Sequence, residues 1–351
     1  MRYRSALITL GFAALVSSPA CSTHEGGAAA PGADAGSTVD SGALDAGGPD
    51  VHLGFNAQGN VNVPEQVAYA QTMLQQLDPA QRAGMVIRAL GGTASQRLPP
   101  SGWADADIMS WVSLQSSTGI GLSFTVDGND PPASQRAFYD HWVSLGAHFR
   151  FIEMMNEYYL PKYARGDTSF SEVTKAVNAD DYVTTILPSY FAAFSGVDSR
   201  FFVILAPSKD ATDASSSNDA WNDTVIGHLG SFGSVSLGVT IHLYKETDTF
   251  DYDQVARIAA RLPSGMPIAI TESGILDADV MAGPGYGQAA TDHLSAVFAR
   301  LRPGDFLFDQ VLYGKGTDVG PDDLHPTYGG VTPKGQAVVT YFKSVAQPSS
   351  P

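Results

Sequence analysis

Residues 236–271 read SLGVTIHLYKETDTFDYDQVARIAARLPSGMPIAIT. The segment opens and closes on short apolar runs, SLGVTIHLY (236–244) and MPIAIT (266–271), and between them DYDQVARIAARL (251–262) carries apolar residues at helical spacing. Neither run alternates reliably between apolar and polar side chains. That predicts strands buried on both faces, as in a parallel sheet covered by helices. The same unit recurs along the chain. Further strands are expected at VHLGF (51–55), MVIRALG (85–91), IGLSFTV (120–126), FRFIEMM (149–155), FFVILA (201–206) and DFLFDQVLY (305–313). Helical patterns follow them, among them PEQVAYAQTMLQQL, DADIMSWVSLQSS, ASQRAFYDHWVSL, DDYVTTILPSYFAAF and NDAWNDTVIGHL, and after 271 QAATDHLSAVFARL and KGQAVVTYFKSV. Eight strands, each followed by a helix, predict an α/β fold of one domain, a (β/α)8 TIM barrel over residues 51–351. A doubly wound sheet is the competing architecture, but the turn after the first strand reads FNAQGNV and lacks the Gly-x-Gly-x-x-Gly of a dinucleotide site.

The rest of the composition narrows the function. With 20 Lys and Arg against 36 Asp and Glu, the net charge is −16, which argues against a nucleic-acid binder because no broad face could neutralise phosphates. Cys21 is the only cysteine, so neither an intrachain disulfide nor a cysteine-based metal knuckle is possible. It ends MRYRSALITLGFAALVSSPAC (1–21), where two arginines precede an apolar run and then small residues, the layout of a secretory signal. The small residues before Cys21 resemble a bacterial lipoprotein cleavage site, with Ser18 standing where that motif usually has Leu. Residues 22–50 are mostly Gly, Ala, Ser and Asp and cannot bury enough apolar surface to offset their ordering entropy. The expectation is an exported protein, tethered to an outer membrane or cell surface through a lipid at Cys21 or else secreted, and otherwise a monomer free of membrane.

In a barrel the chemistry gathers at the carboxyl ends of the strands and in the loops that follow. Those positions hold Arg88 on strand 2, Asp127-Gly128-Asn129-Asp130 after strand 3, Asn156-Glu157 after strand 4, His242 and Tyr244 on strand 6, and Glu272 after strand 7. Of 36 acidic residues only seven are glutamate (25, 65, 153, 157, 172, 246 and 272), so two of them at the ends of apolar strands look placed for a purpose. A carboxylate there costs several kcal/mol to bury unless it is paired. Strands 4 and 7 lie across an eight-stranded barrel from each other. Two carboxyls about 5 Å apart at its mouth would suit a retaining glycosidase, one as nucleophile and the other as acid and then base. Taken singly, Asn156-Glu157 could open a loop and cap a helix, and Glu272 could be an ion-pair partner. Their separation by 115 positions, three βα units, favours the catalytic reading.

FIEMMNEYY, with Asn156-Glu157, resembles the Asn-Glu acid/base motif of the clan A glycoside hydrolases, and IAITESG, with Glu272, resembles that clan's nucleophile strand. Glu153, four residues before Glu157 and on its face by period 2, is similar to the Phe-Glu-x-x-Asn-Glu pattern of family 39, and VIRALGGT is similar to family 79. The resemblance implies that Arg88 and Tyr244, two residues after His242, contact the nucleophile and that Asn156 meets the sugar's 2-hydroxyl; carboxyl chemistry suffices for the reaction, so no cofactor is expected. Two positions depart from the clan: Tyr158 replaces the Pro that often follows Asn-Glu, and the strand 8 Trp that usually floors the sugar site is missing. Tyr313, Trp103 or Trp221 could take that stacking role, and Asp127 could support substrate.

Two other readings compete. A Schiff-base lyase or aldolase would use Lys209 or Lys245 as its amine, although Glu246 beside Lys245 argues for simple solvation. A non-catalytic carbohydrate-binding lipoprotein would keep the barrel without its chemistry. A metal hydrolase is disfavoured because the eight histidines include no His-x-His or His-x-x-x-His pair. Glu153 is expected to be a buried paired acid, His242 a polar-lining or substrate-contact residue, and Trp111 and Trp142 core.

Overall fold

The computed structural model describes residues 51–57, 62–91, 102–160, 177–208, 217–245, 250–312 and 331–345. Cys21, the export signal, the tether, Lys209, Glu246 and Tyr313 lie outside the described residues. Eight strands close into one barrel in chain order. They are β1 (Val51–Ala57), β2 (Val86–Arg88), β3 (Gly121–Thr125), β4 (Phe149–Met154), β5 (Arg200–Ile204), β6 (Leu237–Lys245), β7 (Ile268–Ile275) and β8 (Asp305–Leu312). Every pairing is parallel, including β1 with β8, which closes the cylinder. All eight runs expected from the sequence are strands.

Aromatic rings fill the interior. Phe151, Phe202, Phe306 and Phe308 cluster with Val86 and Ala269, and ring centroids lie 4.6 Å apart for Phe151–Phe202 and 5.2 Å for Phe151–Phe306. Side chains from strands so far apart in the order can meet only inside the cylinder. Two glycines make room for them: a Cβ on Gly54 would lie 2.5 Å from the Phe308 ring, and one on Gly238 2.5 Å from Phe202. The opposite strand faces bury Leu, Ile, Val and Phe under the helices, where Trp111 and Trp142 are fully enclosed.

The helices differ in detail from the sequence pattern. Between Ala179–Asp181 and Leu187–Ala193 the chain widens into a π turn, Tyr182–Ile186, in which the Leu187 N–H reaches back five residues to Tyr182. Pro188 has no N–H for an ordinary helical bond, and the wider turn accommodates it. Two short helices, Pro79–Ala83 and Ala278–Ala282, have too few residues to show a period in the sequence.

The strands β4 and β7 break regularity where the candidate acids sit. On β7, Ala269 faces the interior cluster and Thr271 bonds Glu153, so alternation alone would turn Glu272 outward. The pairing with β6 shifts between Ile241 and His242, from Ile241↔Ile270 to His242↔Glu272, and this extra residue on β7 brings Glu272 inward as well. After β4 the chain turns through Met155 (φ 73°) and Glu157 (φ 42°), left-handed conformations that non-glycine residues rarely adopt. Glu153 and Glu157 therefore do not share a face by simple alternation. The strand ends at Met154, and a strained turn aims Asn156 and Glu157.

Candidate active site

Arg88 is the centre of the site. It is completely buried at the end of β2 and donates to four side chains: Nε to Glu153, Nη1 to Glu272 at 2.5 Å and to Asn56 at 3.2 Å, and Nη2 to Asn156 at 2.8 Å. A planar guanidinium with five N–H donors in fixed directions can serve strands 1, 4 and 7 at once. Gly91 lets the chain after β2 close over Asn56, since a Cβ there would lie 2.0 Å from the Asn56 amide oxygen.

Glu272 receives donors on both oxygens, from Arg88 on Oε1 and from Tyr244 and Gln310 on Oε2, the last at 3.4 Å. Gln310 also donates to the Tyr244 hydroxyl. Glu157 is more open, with 14% of its side chain exposed against 5% for Glu272, and Tyr159 donates to its Oε1 at 3.4 Å. One oxygen of Glu157, one of Glu272 and a nitrogen of His242 all lie within 4.8 Å of one another. The two acids are thus brought together across the barrel.

Beneath them Glu153, fully buried, accepts from Thr125 at 3.0 Å, Thr240 at 3.2 Å and Thr271 at 2.7 Å as well as from Arg88. Burial penalises its charge, but Arg88, His242 and these hydroxyls outweigh burial and hold its carboxyl down at about 2. Its stabilising contribution is complete above the ordinary glutamate range and is lost as pH falls toward that value.

His242 has no exposed surface and stands among three carboxylates: Nε2 faces Glu153 at 3.5 Å, while Nδ1 faces Glu157 at 3.4 Å and Glu272 at 3.5 Å. Burial opposes its charge, and the acids around it, Glu272 foremost, still push it up to about 9. Among the described residues Glu157, His242 and Glu272 form the one trio spaced to share a metal ion. An ion there would have to share Glu272 with the Arg88 guanidinium, which sets two positive charges on one carboxylate, so the trio suits a cation poorly.

Asp127, 5% exposed after β3, accepts from the Asn129 N–H at 2.8 Å. Burial, against that hydrogen bond and with Asp130 adding to it, pushes its carboxyl up to about 7. A raised carboxyl favours the fold at low pH and loses that advantage as pH rises through the folded value. Asp127→Asn keeps an oxygen for the Asn129 N–H and removes the charge. Its melting temperature relative to wild type should rise between about pH 5 and about pH 8; an equal difference at both pH values would contradict this origin.

The remaining candidates are placed differently. Trp221 is 5% exposed, donates to the Ile204 carbonyl at 3.1 Å and lies 5.1 Å from the Tyr182 ring, so it packs under the rim and offers no free face. Trp103 is packed on Phe138 and Trp142 in the outer layer. Lys245 follows Tyr244 on β6, so alternation turns it outward, and it is close enough to His293 to help lower that imidazole's pKa. The described lysine of the Schiff-base reading therefore faces the helix layer. Hollows of about 620 Å³, between Val183 and Val235, and about 270 Å³, at the amino ends of β1 and β8, lie away from both acids.

Sequence reasoning passed over Asn56, Gln310 and the three threonines. Gln310 was open to detection, as a lone amide in the apolar run DFLFDQVL, by the same logic that singled out the glutamates. The threonines carried no signal, because β-branched hydroxyls are ordinary strand residues.

No protein-family model matches the chain, and no curated protein matches it. Among solved structures it is similar to a glycoside hydrolase family 5 enzyme from Prevotella bryantii, at 12% identity and a TM-score of 0.49, covering 88% of this chain and 98% of that one. It is also similar to a family 51 α-L-arabinofuranosidase from Bifidobacterium longum, at 12% identity and a TM-score of 0.43, covering 66% of this chain but only 57% of that one. Pyruvate carboxylase from Rhizobium etli is similar at 10% identity and a TM-score of 0.43, over 84% of this chain and 28% of that one. These likenesses concern the barrel, and its chemistry has to be read from the side chains at its mouth.

Proposed function

We propose that the chain is a retaining glycoside hydrolase that cleaves O-glycosidic bonds in a glycoside or polysaccharide through a covalent glycosyl-enzyme. The observation that carries the reading is the meeting of Glu157 and Glu272, from opposite sides of the barrel, with one oxygen of each within 4.8 Å. That spacing suits direct attack and leaves too little room for the intervening water of an inverting enzyme. A Glu272 oxygen bonds the anomeric carbon as the glycosidic C–O bond breaks, and Glu157 gives its proton to the departing oxygen. Glu157, now ionised, takes a proton from water. The water oxygen bonds the anomeric carbon, and Glu272 leaves as carboxylate. In this reading Asn156, whose amide oxygen accepts from Arg88, turns its amide nitrogen to a sugar hydroxyl beside the anomeric centre, and the Arg88 hydrogen bond supports that role. The signal layout of residues 1–21 supports action outside the cytoplasm.

Hydrolysis of a panel of chromogenic glycosides and polysaccharides tests the reading, and no turnover on any of them would count against it. Glu157→Gln should lose about 10²–10⁴-fold on substrates with poor leaving groups and far less on activated aryl glycosides. A uniform loss across leaving groups would remove Glu157 from the acid role.

A further inference from the structure

His242 is hemmed in by acids on both ring nitrogens. Nε2 points at Glu153, and Nδ1 at the gap between Glu157 and Glu272, 3.4 Å from the one and 3.5 Å from the other. A neutral imidazole has one lone pair, and either tautomer would aim it at a carboxylate. A neutral ring whose Nδ1 lone pair met a protonated Glu157 would leave Arg88 alone against Glu153 and Glu272, one negative charge in excess; the imidazolium balances it. Glu153, for its part, gathers Arg88 from β2, Thr125 from β3, Thr240 and His242 from β6 and Thr271 from β7, all out of contact with solvent.

We propose that His242 is a standing cation, equidistant from the two catalytic acids, that stabilises negative charge on whichever of them carries it, and that Glu153 is the positioning residue that holds it and Arg88 in place. The catalytic consequence rests on the glycosidase reading; the charge assignment does not. Before attack Glu272 is ionised and Glu157 protonated. After attack Glu272 is esterified and Glu157 ionised. In both states Arg88 and His242 oppose two carboxylates, Glu153 and one catalytic acid, so the enclosed cluster stays neutral while its negative charge crosses the site. Without Glu153 the same cluster would carry an uncompensated positive charge in a low-dielectric interior, and His242 would be the group to lose its proton. The groups facing His242 are Glu153 and Glu157 from β4 and its turn and Glu272 from β7, with Arg88 behind two of them; their balance against burial favours the proton.

The test is the ¹⁵N spectrum of the histidine rings in the full chain, with the His242→Gln spectrum assigning the signal. In the wild type both nitrogens of His242 should carry protons at about pH 8, well above the ordinary histidine range. In Glu153→Gln, which keeps the side chain's shape, the ring should be neutral at the same pH. Glu153→Asp keeps the charge, so its ring should stay protonated although the shorter side chain aims Arg88 poorly. On any glycoside the wild type hydrolyses, Glu153→Gln should lower kcat about 100-fold with KM nearly unchanged. A neutral His242 in the wild type at that pH, with Glu157 donating to Nδ1, overturns the proposal even if Glu153→Gln does not fold. An imidazolium that survives in Glu153→Gln overturns the role of Glu153. Neither result depends on whether the protein cleaves a sugar.

Discussion

Glu272→Ala should retain the fold and hydrolyse glycosides more slowly by on the order of 10⁴-fold or more, because the first bond to the anomeric carbon can no longer form. Its removal leaves Arg88 still paired with Glu153, Asn156 and Asn56, so the site loses the proposed nucleophile without stranding the guanidinium. Azide is small enough to enter the space left by the carboxylate. Added azide should restore turnover of activated aryl glycosides and yield a glycosyl azide of inverted anomeric configuration, since attack comes from the face that Glu272 vacated. Undiminished hydrolysis by this variant would remove Glu272 from the chemistry. Rescue with retained configuration would place the nucleophile elsewhere.

Arg88→Met is expected to cost stability more than any other single change in the site, about 3–5 kcal/mol. The arginine is wholly enclosed and is the common partner of two acids, Glu153 with no exposed side chain and Glu272 with 5%. Replacing it by an apolar chain of similar length leaves those acids with hydroxyls, the Gln310 amide and the His242 ring in a buried interior. Denaturant unfolding followed by tryptophan fluorescence would measure the loss. Adding Glu153→Gln to Arg88→Met should return part of it, because the charge left without a partner is then gone. A loss below about 1 kcal/mol, typical of an exposed pair, would show that the charges are not buried together. For a domain whose whole stability lies in the range of about 5–15 kcal/mol, the expected loss is large enough to lower the folded yield.

Both expectations start from residues visible in the sequence, and the reason is chemical scarcity. Glutamate is rare in this chain, so one at the end of each of two apolar strands stood out, and Arg88 stood out as a cation inside MVIRALG. Gln310, an amide inside the apolar run of strand 8, carries the same signal. Trp221 fits two roles equally well on paper. Its indole N–H finds the Ile204 carbonyl and its ring finds Tyr182, contacts made between chain segments that periodicity does not relate. The sequence pattern placed Glu153 and Glu157 on one face, whereas the chain reaches that result through two left-handed residues.

The amino-acid order by itself determined the number of strands and their parallel, doubly buried character, because apolar runs and helical spacing are local properties of the chain. It also nominated both acids and the arginine, since a charged side chain in such a run must be paired. Direction and distance came from the closed barrel. The shifted register between β6 and β7 turns Glu272 inward, and the turn at Met155 and Glu157 swings Asn156 to Arg88. His242 is set between three carboxylates drawn from strands that are far apart along the chain. A bulge or a positive φ is stabilised by hydrogen bonds to other strands, and those partners exist only once the cylinder has closed.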